Sequence, residues 1–171
     1  MKTYSFAYGS GTVEFLLEEK NIIGELHGNV VEPISDIRRE LWASLDAPID
    51  SAPLCRRVTP GSTVALVVSD MSRFWMRQDL VVPHLVDYLT QRCGVREEDI
   101  TIVIANGTHT GGDEAELRTL VTDAVYDRIT VENHNCDSDD LVYLGTTPHG
   151  TPVSINRTAA LADMVICLGA A

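Results

Sequence analysis

Basic residues are few in this sequence: 13 Lys and Arg stand against 25 Asp and Glu, a formal net charge of −12. A polyanion would be repelled by such a surface, which argues against a nucleic-acid partner but leaves room for a small anion held by one arginine and backbone N–H groups. No unbroken apolar stretch approaches the length of a bilayer span, and no basic segment followed by an apolar one opens the chain. No membrane partner is therefore expected, and the expected compartment is the cytoplasm. The four cysteines, Cys55, Cys93, Cys136 and Cys167, form no C-x-x-C. In a reducing compartment they read as small buried hydrophobes. His134-Asn135-Cys136 falls short of a zinc-site spacing, and no metal site is assigned. Internal repeats and low-complexity tracts are also missing.

What is present suits a globular enzyme-sized core. At 171 residues and 44% hydrophobic content, the chain reads as a single α/β domain over 1–171. Residues 1–35 alternate short apolar pieces with glycine and suggest two or three antiparallel strands. The spacing of Ile34, Ile37, Leu41, Trp42 and Leu45 predicts a helix capped by Ser35 or Asp36. Ser62–Val68 and Ile100–Ile104 are continuous and β-branched, as strands buried on both faces of a parallel sheet should be. Between them, 79–89 reads as a helix with Pro83 in its first turn and Gly94 just past its end. A second helix is expected over 112–125 with Asp113 as its cap, then a strand over 128–131, a hairpin over 141–155, a short helix capped by Asn156 and a last strand over 163–169. Together these give an open, mostly parallel Rossmann-like sheet with helices on both faces and an N-terminal antiparallel β piece.

The chemistry gathers where strands end. Ile100–Ile104 empties into Ala105-Asn106-Gly107-Thr108-His109-Thr110, where Gly107 allows a positive φ or a close approach by a bound group. Ser62–Val68 empties into Ser69-Asp70-Met71-Ser72-Arg73, and the 128–131 strand into Asn133-His134. Open α/β sheets collect ligands at such carboxyl ends, so neighbouring strands would bring these loops to one crevice. His109 is the candidate base. Arg73 offers a planar fork for a carboxylate or phosphate. Asp70 can orient Arg73, or hold a hydroxyl or a histidine tautomer. A hydrolase with Ser72 as nucleophile lacks the G-x-S-x-G elbow that exposes such a serine.

Several of these segments resemble the nickel-pincer-dependent lactate racemase family. Asp70-Met71-Ser72-Arg73-Phe74 is similar to its D-x-[ST]-R-P motif, and Ile104-Ala105-Asn106-Gly107-Thr108-His109 to I-A-[TN]-G-T-H. Asn133-His134-Asn135 resembles N-H-[DN], Gly150–Arg157 resembles G-T-P-V-x-[IV]-N-R, and Ala162–Ile166 resembles A-D-x-V-I. The resemblance implies the amino-terminal, cofactor- and substrate-binding half of a two-domain racemase or epimerase of a 2-hydroxy acid, with the carboxyl-terminal domain as its partner. It further implies His109 as a catalytic histidine, and Asp70, Ser72, Arg73, Gly107 and Thr108 as contacts to a nickel-pincer nucleotide. Arg73 would also grip the substrate carboxylate.

Phe74 stands where the family has proline, which predicts a loop shaped for another substrate. The family's P-H-x-x-x-G-x-S-G-G-x-K stretch, with the opposite-face histidine and the cofactor-tethering lysine, is not in these 171 residues. Alone they are expected not to racemise, and cofactor is expected to bind only with the missing carboxyl-terminal part. A homo-oligomer is possible on this reading. The rival reading is a noncatalytic module that binds a nucleotide or small anion through Arg73 and the Gly107 loop.

Overall fold

In the computed structural model, which describes residues 1–169, four parallel strands carry the site. They are β3 (Val64–Ser69), β4 (Ile100–Ala105), β5 (Thr130–Asn133) and β8 (Met164–Leu168), in the order β5-β4-β3-β8. Two antiparallel pairs complete the β structure: β1 (Lys2–Tyr8) with β2 (Gly11–Leu17), and β6 (Val142–Thr146) with β7 (Pro152–Ile155). The helices are α1 (Ile37–Asp46), α2 (Leu54–Arg57), α3 (Val82–Gln91), α4 (Glu114–Val121), α5 (Asp123–Tyr126) and α6 (Arg157–Leu161). The chain groups into two compact units, one of residues 1–33 and one beginning at Ile34.

In the first unit, β1 and β2 pair from Lys2↔Leu17 to Tyr8↔Gly11 around a tight turn with Gly9 at φ 57°. The apolar piece after Asn21 forms no third strand, and Glu19–Asn21 is a single 3-10 turn. Gly24 and Gly28 interrupt that stretch, and glycine carries a high entropic cost in a strand.

The second unit is built on β3 and β4, whose side chains are buried on both faces apart from the strand ends and a few half-buried positions. Val64, Leu66, Val68, Ile100, Ile102 and Ile104 point one way and form the core with α3, α4 and α5. Each such aliphatic side chain, once buried, contributes about 1.5–3 kcal/mol. Steps from β3 to β4 and from β4 to β5 run in one direction, so right-handed crossovers put α3 and α4 on the same face. The return to β8 passes back across the sheet and puts α6 on the other, so helices lie on both faces. Asp36 caps α1 by accepting from the Arg39 N–H at 2.9 Å. Pro83 sits in the first turn of α3, and Gly94 ends it at φ 71°. Tyr88, fully buried, donates its hydroxyl to Asp46 Oδ1 at 2.6 Å.

One helix over 112–125 does not form. α4 and α5 are separated by Thr122, at φ 77° and ψ 150°. The break turns the chain so that Val121 and Val125 both reach the core, at the cost of a left-handed backbone on a β-branched residue. Its Oγ1 is also buried without a partner. Thr122→Gly is expected to stabilise the fold by about 1 kcal/mol, since the relieved strain exceeds glycine's entropic cost. Thermal unfolding of the two proteins measures the difference.

Candidate active site

Two loops from adjacent strands meet at the carboxyl end of the sheet. β3 pairs with β4 through Ser69↔Ala105, so the residues that follow each strand emerge side by side. After β3, Asp70 caps the 3-10 turn Met71–Met76 by accepting from the Ser72 N–H at 3.2 Å. Met71 and Phe74, one turn apart, pack against the core. Phe74 thus anchors this loop against the core. Gln78, 1% exposed, fixes the strand end by donating Nε2 to the Ser69 carbonyl at 2.6 Å. Nothing in the sequence marks this glutamine.

After β4, the chain turns through Asn106–His109, closed by the His109 N–H to the Asn106 carbonyl at 3.0 Å. Gly107 takes φ 59°, and a Cβ there would meet open space. It is needed for its backbone angle, and the close approaches lie further on. A Cβ on Gly111 would come within 2.9 Å of Asn133 Cγ, and one on Gly112 within 2.7 Å of Glu116 Oε2.

A chain of polar contacts joins the loops. His109 Nδ1 lies 2.6 Å from Asp70 Oδ2, the Ser72 hydroxyl donates to Asp70 Oδ1 at 2.5 Å, and Arg73 donates to Ser72 Oγ at 3.2 Å. Burial alone would raise the Asp70 carboxyl, but the Ser72 hydroxyl, the His109 imidazole and the Ser72 N–H outweigh it and hold Asp70 below the usual carboxylate range. An ionised Asp70 can only accept, so Nδ1 of His109 carries a proton, and in the neutral tautomer this fixes, the lone pair is on Nε2. The His109 side chain is 58% exposed. Ser72 donates to Asp70 and not to His109, so the serine-nucleophile arrangement is not formed. Arg73 makes no ion pair among the described residues; of the roles open to Asp70, it holds a hydroxyl and a histidine tautomer rather than orienting Arg73. Thr108 is exposed beside His109.

A small cleft of about 160 Å³ opens here, lined by Asp70, Asn106, Thr110, Gly112, Glu116 and Leu120 among others. Arg73 and His109 are not in its lining. Both stand exposed, so the shared crevice expected for them is an open surface rather than an enclosed pocket.

The third loop supports the second. Asn133, at the end of β5, accepts from the Gly112 N–H at 3.1 Å and donates to the Gly112 carbonyl at 2.8 Å. Asn106, 2% exposed, donates Nδ2 to Asn133 Oδ1 at 3.0 Å and to the His134 carbonyl at 3.2 Å. These amides clamp the segment that carries His109. Their position just after buried strands is the one sequence signal that could have marked Asn106. His134 Nδ1 and Asn106 Oδ1 remain buried without partners, and no group of three His, Cys, Asp or Glu among the described residues could hold a metal ion.

Because Asp70 titrates lower in the folded chain than in the unfolded one, its contribution to stability is present above the ordinary aspartate range and is lost as pH falls through the lowered value. Urea unfolding between neutral and acidic pH is expected to show a steeper acid loss for the parent than for Asp70→Asn.

Comparison with known proteins decides the family. The sequence profile described as the lactate racemase N-terminal domain matches residues 8–171. The chain belongs to that family. Among curated relatives, it is 23% identical to the lactate racemase of Thermoanaerobacterium thermosaccharolyticum and 24% identical to that of Lactiplantibacillus plantarum, in each case over 99% of this chain and 40% of the relative. The chain thus spans 40% of the length of these lactate racemases. The solved structure of the lactate racemase apoprotein from T. thermosaccharolyticum superposes with a TM-score of 0.82 at 21% identity, covering 97% of this chain and 38% of that one. A lactate racemase N-terminal domain is therefore the frame in which these three loops are arranged.

Proposed function

We propose that this chain supplies one wall of a racemase or epimerase site for 2-hydroxy acids, with His109 as the proton acceptor and Arg73 as the anion-holding cation. The observation that carries the reading is the 2.6 Å contact of His109 Nδ1 with Asp70, on an exposed ring whose Nε2 has no hydrogen-bond partner among the described residues. Asp70 fixes the tautomer and stabilises the imidazolium formed when Nε2 takes the substrate hydroxyl proton. Arg73, with both faces of its fork uncommitted to any carboxylate, suits the substrate carboxylate or a cofactor phosphate.

The nickel-pincer nucleotide implied by family membership would, when bound, accept hydride from the carbinol carbon and return it. These residues fit its anionic end: Arg73 and the Ser72 hydroxyl on one loop, Gly107 and Thr108 on the next. They offer no ligand set for its metal, so what this chain contributes is binding, orientation and the handling of one proton. A second acceptor, for the opposite enantiomer, and the metal ligands are assigned to the remaining part of the protein.

The test uses the full-length protein loaded with cofactor, given single enantiomers of lactate and of longer 2-hydroxy acids, with chiral chromatography as readout. Interconversion of either enantiomer supports the reading. If none is interconverted while inorganic phosphate still binds and that binding is lost in Arg73→Ala, the chain is a noncatalytic anion-binding module.

A further inference from the structure

At the other end of α3, away from the strand tips, two thiols face each other. Cys55 lies on α2 and Cys93 in the turn after α3, with their Sγ atoms 2.6 Å apart and 38 residues between them in sequence. We propose that Cys55 and Cys93 are a disulfide-forming pair, a reversible thiol-oxidation site that closes a ring around β3 and the Asp70–Arg73 loop.

Both sides of the pair are held by the core independently of each other. α2 is pinned by Leu54 and Val58, which are buried at its two ends. Cys93 is placed by its own N–H to the Tyr88 carbonyl at 3.2 Å, by the Val95 N–H to the Leu89 carbonyl at 3.0 Å, and by Gly94 in the left-handed region. Bridging two cysteines usually fails because the backbone has to move to bring the sulfurs together; here that approach is already made. Cys136 and Cys167 are free as well, and neither has a sulfur neighbour among the described residues.

The oxidant is a low-molecular-weight disulfide. The Cys55 thiolate, on the more exposed of the two residues, attacks one of its sulfurs and releases one thiol, leaving a mixed disulfide. Cys93 then loses its proton, attacks the Cys55 sulfur and releases the second thiol. The protein gives up two protons and two electrons, and the reagent disulfide becomes two thiols. Burial and the neighbouring Cys55 thiol push the Cys93 thiol up to about 12, so ring closure is the slow step. The pair sits at the far end of α3 from His109, so the Asp70–His109 contact is not broken by the link, although Asp70, Ser72 and Arg73 all lie within the closed ring. This site does not depend on the proposed activity.

The experiment treats the full chain with glutathione disulfide and follows free thiols, intact mass and peptide linkage. Two thiols are expected to disappear and the mass to fall by two hydrogens. A peptide joining Cys55 to Cys93 should appear, the melting temperature should rise by about 5–10 °C, and dithiothreitol should reverse all of it. The Cys136→Ser, Cys167→Ser double variant should behave identically, and Cys93→Ser should stop at a glutathione adduct on Cys55. Linkage through any other cysteine, four unreacted thiols, or a Cys55 adduct that never closes in the parent protein overturns the proposal.

Discussion

His109→Gln in the cofactor-loaded, full-length protein is expected to lower racemisation turnover by about 10²–10⁴-fold. Glutamine keeps much of the size and polarity of the imidazole but has no group that can take a proton near neutral pH. The loss should appear in kcat and only weakly in KM, because the anion-holding role proposed for Arg73 is left intact. Asp70→Asn should give a partial loss, since an asparagine can present its amide N–H to Nδ1 and turn the ring's proton to Nε2, where the lone pair is needed. Chiral chromatography measures the rates, and unchanged circular dichroism shows that the fold survives. Turnover at the parent level in His109→Gln would remove this histidine from the chemistry and leave the anion-binding reading standing.

Asn133→Ala carries the largest expected effect on stability among the residues around the site, about 3 kcal/mol. The substitution removes the partner of the Gly112 N–H and of the Gly112 carbonyl, and one of the two partners of the buried Asn106 amide, which keeps the His134 carbonyl. A lost hydrogen bond between exposed groups costs little; Asn106 is 2% exposed and Gly112 half-buried, so groups left unpaired here cost more. Denaturant titration should show the midpoint falling without a change in slope. Activity should fall further than stability alone explains, because the freed segment is the one that aims His109. Gly111→Ala should reproduce part of this effect from the other side of the contact, since its Cβ would press on the Asn133 side chain.

Much of the frame could be read before any coordinates. The β-branched runs of β3 and β4 have few alternatives to a buried parallel sheet, whereas β8, read as buried, is an edge strand with Val165 and Cys167 exposed. Asp36, Asp113 and Asn156 each accept the N-terminal amide bond expected of a cap. Adjacency of β3 and β4 then places Asp70 beside His109. Other features have no local signature. Threonine is not a residue that announces a left-handed backbone, so the Thr122 break is visible only once two short helices are seen to share one core. Gln78 looks like an ordinary loop polar, yet it is buried because the Ser69 carbonyl at the strand end takes its amide. That the Phe74 ring packs against the core was not visible in its place after Arg73. Of the three partners open to Asp70 in the sequence, Arg73, a hydroxyl or a histidine tautomer, the carboxylate takes the Ser72 hydroxyl and the His109 imidazole.

The pairing of β8 with β3 has a consequence for how the molecule is made. Val64 sits opposite Met164, and just before them Asp163 accepts from both the N–H and the hydroxyl of Thr63, each at 2.9 Å, across 100 residues of chain. Contacts that distant in sequence are slow to form and are rewarded late. On the ribosome, β3, β4 and β5 can assemble with their helices while one side of β3 still shows unpaired amides, and that edge stays open until the final strand emerges to cover it.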